Sequence, residues 1–157
     1  MQNRYANGGR PTKKQIYQRA GTLNVPNLGM MWEAVELSWL LWYRQIYKEA
    51  LPFEQRLHKM VHFWHEQQPT YAYSDSSKEL YKQYSTPCPI GAMVAQYTDM
   101  DNAKSIFEPS AGNGLLLVGA DPRKTHVNEI DPTRLASLKF PGFKKITNDN
   151  AIQPFPD

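Results

Sequence analysis

Disulfide-stabilised folds are excluded, because Cys88 is the only cysteine among the 157 residues. A lone thiol cannot form a bridge within its own chain, and such sequences are typical of reducing compartments. We therefore expect a cytoplasmic protein that is stabilised by a packed core. Apolar residues at 41% and aromatic residues at 12% are sufficient to build one.

A long uninterrupted apolar run is also missing. The most apolar stretch, residues 28–47, is broken by Glu33, Glu36 and Arg44. A membrane-spanning helix needs ~20 predominantly apolar residues with few charges. We therefore expect no membrane partner.

Acidic side chains are absent before Glu33. The basic residues that precede it are Arg4, Arg10, Lys13, Lys14 and Arg19. We interpret residues 1–26 as a basic, flexible arm with at most one helical turn near residues 13–20. Such an arm can neutralise nucleic-acid phosphates, or it can simply be a solvated terminus.

Residues 27–80 are predicted to be a helical region. Apolar side chains from position 28 recur at three- and four-residue steps and cover most of the helix, so we expect burial on more than one side. A second helix is predicted from Pro52 to about residue 68 and a short third one after Ser76 or Ser77. The side chains expected to form the apolar face of the second helix are Phe53, Leu57, Val61 and Trp64. We expect the aromatic residues to be core rather than a base-stacking platform.

The second helix also carries three histidines on one face, His58, His62 and His65. Imidazole is a common zinc ligand, but a fourth ligand is not evident. We therefore predict no metal site.

Strands and helices alternate beyond residue 80. Strands are predicted at 105–108, 124–130 and 145–147, with helices at about 90–97, 112–119 and 132–138. This alternation predicts an α/β fold in which about three parallel strands are covered by helices.

The segment FEPSAGNG, residues 107–114, places two glycines directly after the first predicted strand. Parallel sheets bind ligands at the carboxyl ends of their strands. Gly112 and Gly114 have no Cβ to block a close approach, and the helix that follows would direct N–H groups at an anionic group. A glycine-rich turn is also common where no ligand binds.

At the end of the next strand, Glu129 can accept hydrogen bonds from two vicinal ribose hydroxyls, and we expect it to be solvated without ligand. Together with the glycine loop it predicts a nucleoside-containing ligand. Leu117 stands where the third glycine of a dinucleotide motif would fall, which disfavours nicotinamide and flavin dinucleotides.

Three segments together resemble the AdoMet-dependent adenine-specific DNA methyltransferases. FEPSAGNG is similar to the family's first AdoMet motif and NEIDP, residues 128–132, to its acidic second motif. QYSTPCPI, residues 83–90, is similar to the segment that closes over the methionine moiety. The resemblance implies a partial Rossmann-like methyltransferase domain over residues 81–157, S-adenosyl-L-methionine (AdoMet) as cofactor, and DNA as the partner of the intact enzyme, as in restriction-modification.

The resemblance also assigns site residues. It places cofactor contacts at Tyr84, Ser85, Thr86, Pro87, Glu108, Pro109, Ala111, Gly112, Gly114, Glu129, Ile130 and Asp149. Glu129 would bind the ribose and Ile130 would lie beside the adenine ring. Asp149 would face the adenine amino group, with Asn150 as the alternative in TNDNA, residues 147–151. Asp149 can equally be an ordinary turn residue.

The family's catalytic motif, Asn/Asp/Ser-Pro-Pro-aromatic, does not occur in the sequence. We therefore predict no catalytic residue, a truncated domain, and weak or absent AdoMet binding. Self-association or a partner that supplies the missing half is expected, because part of the apolar surface would be uncovered. The residues expected on that surface are Phe140, Phe143, Ile146 and Phe155.

Two other functions stay open. The chain can be a non-catalytic adaptor for nucleic acid or for another subunit, which would not need Glu129. It can also be part of an RNA methyltransferase, because no target-reading region is recognisable.

Overall fold

The computed structural model describes residues 12–25, 28–66 and 85–153. These ranges contain five α-helices: α1 (Lys13–Thr22), α2 (Leu28–Tyr47), α3 (Phe53–Glu66), α4 (Cys88–Tyr97) and α5 (Pro132–Leu138). The strands are β1 (Ile106–Glu108), β2 (Thr125–Asn128) and β3 (Lys145–Thr147). The protein is mixed α/β, as predicted. Residues 1–11 and 26 of the basic arm, the short helix expected after Ser76 or Ser77, and Phe155 lie outside the described residues.

Helix α1 corrects the prediction for the amino-terminal segment. The Thr12 hydroxyl accepts the Gln15 N–H at 3.3 Å, and the Gln15 side chain accepts the Thr12 N–H at 3.0 Å. This reciprocal capping box starts a ten-residue helix. Ile16 and Ala20 are buried at 2% and 3% exposure. The helical turn predicted near residues 13–20 is therefore present, but it is longer than predicted and packs against the core.

Helices α2 and α3 form the predicted helical pair. Val35, Leu40 and Tyr43 of α2 are fully buried, and the Tyr43 ring meets Phe63 of α3 edge-on at 5.1 Å between centroids. The aromatic stripe is core, as expected. On α3, however, Met60 and Phe63 are the buried residues.

Val61, which was predicted to face the core, lies on the exposed side of α3. Phe53 and Leu57 pack against the core as predicted, so the predicted face departs from the observed one only in the second half of α3, where Met60 and Phe63 are buried. The periodicity alone did not show which side meets α2 there.

The three strands form one parallel sheet in the order β1-β2-β3. Phe107 pairs with His126, and Val127 pairs with Ile146. All three carboxyl ends therefore lie at one edge of the sheet, where a parallel sheet binds its ligands.

The helix predicted at residues 112–119 is not an α-helix. Only a three-residue 3-10 turn, Leu115–Leu117, follows the glycine loop. Helix α4 lies against this turn so closely that a Cβ on Gly91 would be 2.5 Å from the Leu115 carbonyl oxygen. A side chain at position 91 would therefore collide with the backbone of this turn.

A single hydrophobic core joins the helical region to the sheet, and it includes residues from Ile16 to Phe143. Phe143 is 7% exposed and Ile146 is half-buried, so the predicted uncovered surface is wrong at both positions. Phe140 is exposed as predicted, at 75%. Within the described ranges, no helix is both long and apolar enough to cross a membrane.

Candidate functional site

The glycine loop begins where β1 ends. The Glu108 carboxylate accepts the N–H of Ser110 at 3.0 Å, which turns the chain directly after the strand. Gly112 and Gly114 have φ values of +55° and +81°, a region that residues with a Cβ rarely adopt. The backbone shape of this loop therefore depends on both glycines.

The two glycines face different surroundings. A Cβ on Gly114 would lie 3.3 Å from Leu40 and 3.5 Å from Phe143, so this glycine packs against the core. A Cβ on Gly112 would meet only the Arg134 guanidinium, at 3.5 Å. The prediction that both glycines leave room for a ligand therefore fails for Gly114.

Glu129 lies at the end of β2 and faces the glycine loop. Its Oε2 accepts the N–H of Gly112 at 2.7 Å, and its Oε1 accepts the N–H of Asp131 at 2.8 Å. The residue is 5% exposed, so the expectation of a solvated carboxylate is wrong. The carboxylate holds the loop in place, and the structure brings the glycine loop and the acid together.

Asn128 connects all three strand ends, and the sequence analysis gave it no role. It is 1% exposed. Its amide nitrogen donates to the carbonyls of Pro109 and Asp149, both at 2.9 Å. Its amide oxygen accepts the Thr147 hydroxyl at 2.8 Å and the Asp149 N–H at 2.9 Å. The sequence did contain a sign of this role: an amide side chain at the last position of a strand that is predicted to be buried needs hydrogen-bond partners.

The TNDNA segment follows β3 and lies beside Glu129. Asn148 donates from its amide to the carbonyl oxygens of Glu129 and Ile130, at 2.6 and 3.0 Å. Asp149 is held by its backbone and its side chain is half-buried. Asn150 is exposed and its oxygen accepts the Ile152 N–H, which is an ordinary turn contact. The geometry therefore favours Asp149 over Asn150 as the residue nearer the site.

The remaining predicted contacts line the same edge. Ala111 is buried and donates its N–H to the Asn128 carbonyl at 2.9 Å, whereas Pro109 is exposed. Ile130 follows Glu129 directly and is 39% exposed, so its apolar side chain is accessible to a ligand.

The predicted anion site at a helix N-terminus is not supported. The Gly112 N–H donates to the Glu129 carboxylate, and the Gly114 N–H donates to the Ala111 carbonyl, so neither is available to an anion.

Helix α2 contributes two carboxylates to the glycine loop, a contribution that sequence reasoning missed. The Asn113 amide nitrogen donates to Glu33 and, at 2.8 Å, to Glu36. The Arg134 Nε of α5 lies 3.2 Å from the Glu33 carboxylate, and both side chains are buried. Glu33 and Glu36 stood out in the sequence as charges inside an apolar helix, and their three-residue spacing places them on one face.

The segment before α4 also reaches this group of side chains. The Ser85 hydroxyl donates to Glu36 at 2.5 Å. Thr86 and Pro87 are half-buried and lead into α4, whereas Tyr84 lies outside the described residues. The structure therefore places Ser85 on the same carboxylate as Asn113.

Cys88 is the first residue of α4 and is 1% exposed. Burial raises the pKa of its thiol well above the ordinary value, and Arg44 opposes this only in part. The thiol donates to the Leu115 carbonyl at 3.6 Å. Cys88 is therefore a packing residue with little thiolate character.

Among the described residues, no group of three His, Cys, Asp or Glu side chains is arranged to hold a metal ion. The three histidines of α3 are all exposed.

Three buried polar atoms beside the glycine loop have no hydrogen-bond partner in the described part of the chain. They are Oδ1 of Asn113, a residue 2% exposed, and Nε and Nη2 of Arg134, a residue 4% exposed, although Nε takes part in the ion pair with Glu33. Most buried polar atoms in proteins are hydrogen-bonded, so such atoms call for a partner. They indicate that the loop can bind a polar group.

Comparisons with protein-family models, curated proteins and solved structures found no match to this chain, so its function has to be argued from these residues and their geometry.

Proposed function

We propose that residues 81–157 are the AdoMet-binding part of an adenine-specific DNA methyltransferase. The observation that carries the proposal is the contact between the Gly112 N–H and the Glu129 carboxylate at 2.7 Å. It joins the glycine motif and the acidic motif at the carboxyl edge of a parallel sheet, which is where such folds bind nucleosides. The TNDNA segment, residues 147–151, lies at the same edge, through the contact of Asn128 with the Asp149 backbone.

The residues fit a nucleoside with an amino-acid end. A carboxylate has about four acceptor positions, so Glu129 can still accept ribose hydroxyls after its two backbone contacts. Ile130 is exposed beside it and would contact the adenine ring, while the side chain of Asp149 would take the amino group.

AdoMet would supply an activated methyl group on a sulfonium for transfer to the exocyclic amine of adenine. The residues named here bind and orient that cofactor. None is assigned a catalytic role, because the Pro-Pro-aromatic motif that would hold the target base is missing from the sequence. This chain is therefore proposed to bind the cofactor without methylating DNA.

Calorimetric titration with AdoMet and with its product, S-adenosylhomocysteine, tests the proposal, with NAD as the control ligand. We expect weak binding of the first two and none of NAD. Failure of both to bind at millimolar concentration would overturn the proposal. Sub-micromolar binding would instead show that the chain already contains the whole pocket and that the expected weak affinity is wrong.

A subunit-binding adaptor is the second candidate, and one observation favours it. Ile90, Met93 and Tyr97 lie along one side of α4 and are 50%, 54% and 92% exposed. Exposed apolar stripes of this kind are typical of interaction surfaces. An adaptor was expected to tolerate the loss of Glu129, whereas a cofactor-binding domain was not. Because the carboxylate also stabilises the loop, a defect in a Glu129 variant would not distinguish these two functions. Nucleoside binding is the measurement that separates them.

A further inference from the structure

The carboxylates of α2 lie next to the glycine loop and not on the outer surface of the helix. Asn113, inside the loop, donates to both Glu33 and Glu36. Ser85, from the segment before α4, donates to Glu36. Three separate parts of the chain therefore meet at Glu36.

The Glu36 carboxylate has no cationic partner among the described residues. Its contacts are with the Asn113 amide and the Ser85 hydroxyl, whereas the Arg134 guanidinium lies next to Glu33. A positively charged group on the ligand would supply the missing counter-charge for Glu36.

The Asn113 amide oxygen is an independent sign of a missing partner. The side chain is 2% exposed, and this oxygen has no hydrogen-bond partner among the described residues. It is bonded to the same carbon as the nitrogen that donates to Glu36, so it lies within a few bonds of that contact. An ammonium carries three N–H donors, and the acceptors available here are the Glu36 carboxylate, the Asn113 oxygen and the Ser85 hydroxyl.

Accessibility separates Glu36 from Glu33. Glu33 is 5% exposed and adjoins Arg134, whereas Glu36 is half-buried and Ser85 is exposed. A ligand can therefore reach Glu36 from solvent without breaking the buried ion pair.

We propose that Glu36, with Ser85 and Asn113, binds the ammonium group at the amino-acid end of the cofactor. This inference rests on the proposed function, since it assigns one end of the same ligand. It makes the helical region part of the binding site, because α2 supplies the carboxylate.

The test compares two nucleosides in calorimetric titrations of the full chain. S-adenosylhomocysteine carries the ammonium, and 5′-methylthioadenosine lacks the whole amino-acid end. We expect Glu36→Gln to weaken S-adenosylhomocysteine binding by about tenfold or more, because a charged hydrogen bond is lost, and to change 5′-methylthioadenosine binding by under about twofold. Glu54→Gln, an exposed carboxylate on α3, is the matched control and should change neither.

Ser85→Ala is the second variant, and its exposed position makes a folding defect unexpected. It should weaken only S-adenosylhomocysteine, by about threefold to tenfold. Equal losses for both nucleosides, or no loss in either variant, would overturn the ammonium assignment while leaving the proposed function intact. If the unmodified chain binds 5′-methylthioadenosine as tightly as S-adenosylhomocysteine, the assignment also fails. If it binds neither nucleoside, the proposed function fails and the assignment with it.

Discussion

Gly112 donates its backbone N–H to Oε2 of Glu129 over 2.7 Å, which ties the loop after β1 to the residue that follows β2. The second carboxylate oxygen accepts the N–H of Asp131. Glu129 therefore stabilises the loop even when no ligand is bound, and any ribose must share a carboxylate that is already in use.

Glu129→Ala should lower both the stability and the ligand affinity of the protein. The substitution leaves two buried backbone N–H groups without their acceptor, so the free energy of unfolding should fall by about 2–4 kcal/mol. Urea unfolding measures it. Glu108→Ala is the control, because that half-buried carboxylate accepts a single N–H, and it should cost about 1 kcal/mol. An unchanged unfolding midpoint for Glu129→Ala would contradict a stabilising role for the two backbone contacts of Glu129.

The sequence predicted the order of elements beyond residue 87 well. Strand and helix alternation was enough for a parallel sheet, and Pro132–Leu138 and Lys145–Thr147 were predicted at their observed bounds. The reason is local, since proline, aspartate caps and short β-branched runs mark these ends. The Asp131 side chain, for example, accepts the N–H groups of Thr133 and Arg134 at the start of α5.

The site was predicted only in part, because its polar contacts cross long stretches of sequence. Asn113 and Glu33 are 80 residues apart, and no local pattern pairs them. Likewise, Gly114 has a packing role that depends on Leu40 and Phe143, which only the folded chain brings near it. The solvated state expected for Glu129 was wrong for the same reason.

Gly114→Ala should destabilise the protein through both backbone strain and crowding. Its φ is +81°, and a Cβ would lie 3.3 Å from Leu40. We expect a loss of about 2–3 kcal/mol in the free energy of unfolding. Gly142→Ala isolates the strain, because Gly142 has φ of +77° and nothing within 4 Å of the added Cβ. That control should lose about 1 kcal/mol, and equal losses in the two variants would show that crowding at Gly114 is negligible.

Asn128→Asp should be among the most destabilising single-atom changes in the chain. The aspartate keeps an acceptor for Thr147 and Asp149, but it replaces the donor to the Pro109 and Asp149 carbonyls with a buried charge. A loss of about 3 kcal/mol or more is expected in urea unfolding. Asn150→Asp is the control, because Asn150 is exposed and only its side-chain oxygen is hydrogen-bonded, to the Ile152 N–H. This change should alter stability by under about 0.5 kcal/mol. Similar unfolding midpoints for the two variants would contradict the role of Asn128 in holding the three strand ends together.

Glu33 and Arg134 should be energetically coupled, because they form a buried ion pair between α2 and α5. Glu33→Gln and Arg134→Met should each cost about 3 kcal/mol, since each removes one side of the buried ion pair. The double variant should cost clearly less than the sum, with a coupling energy above about 1 kcal/mol. Urea unfolding of all four proteins measures this. Strict additivity would mean that the two side chains act independently.

The last prediction concerns activity. Incubation of the chain with radiolabelled AdoMet and adenine-containing DNA should transfer no methyl group, even at cofactor concentrations that the titrations show to be saturating. Glu129, Ile130 and Asp149 are placed to hold a nucleoside, but base methylation also needs groups that grip a flipped adenine and orient its amine. The motif that would do this, two prolines followed by an aromatic residue, does not occur anywhere in the sequence. An active adenine methyltransferase in parallel reactions checks the assay. Label incorporated by this chain and lost in Glu129→Gln would show that other residues position the base, and the assignment of a cofactor-binding part without catalysis would then be wrong.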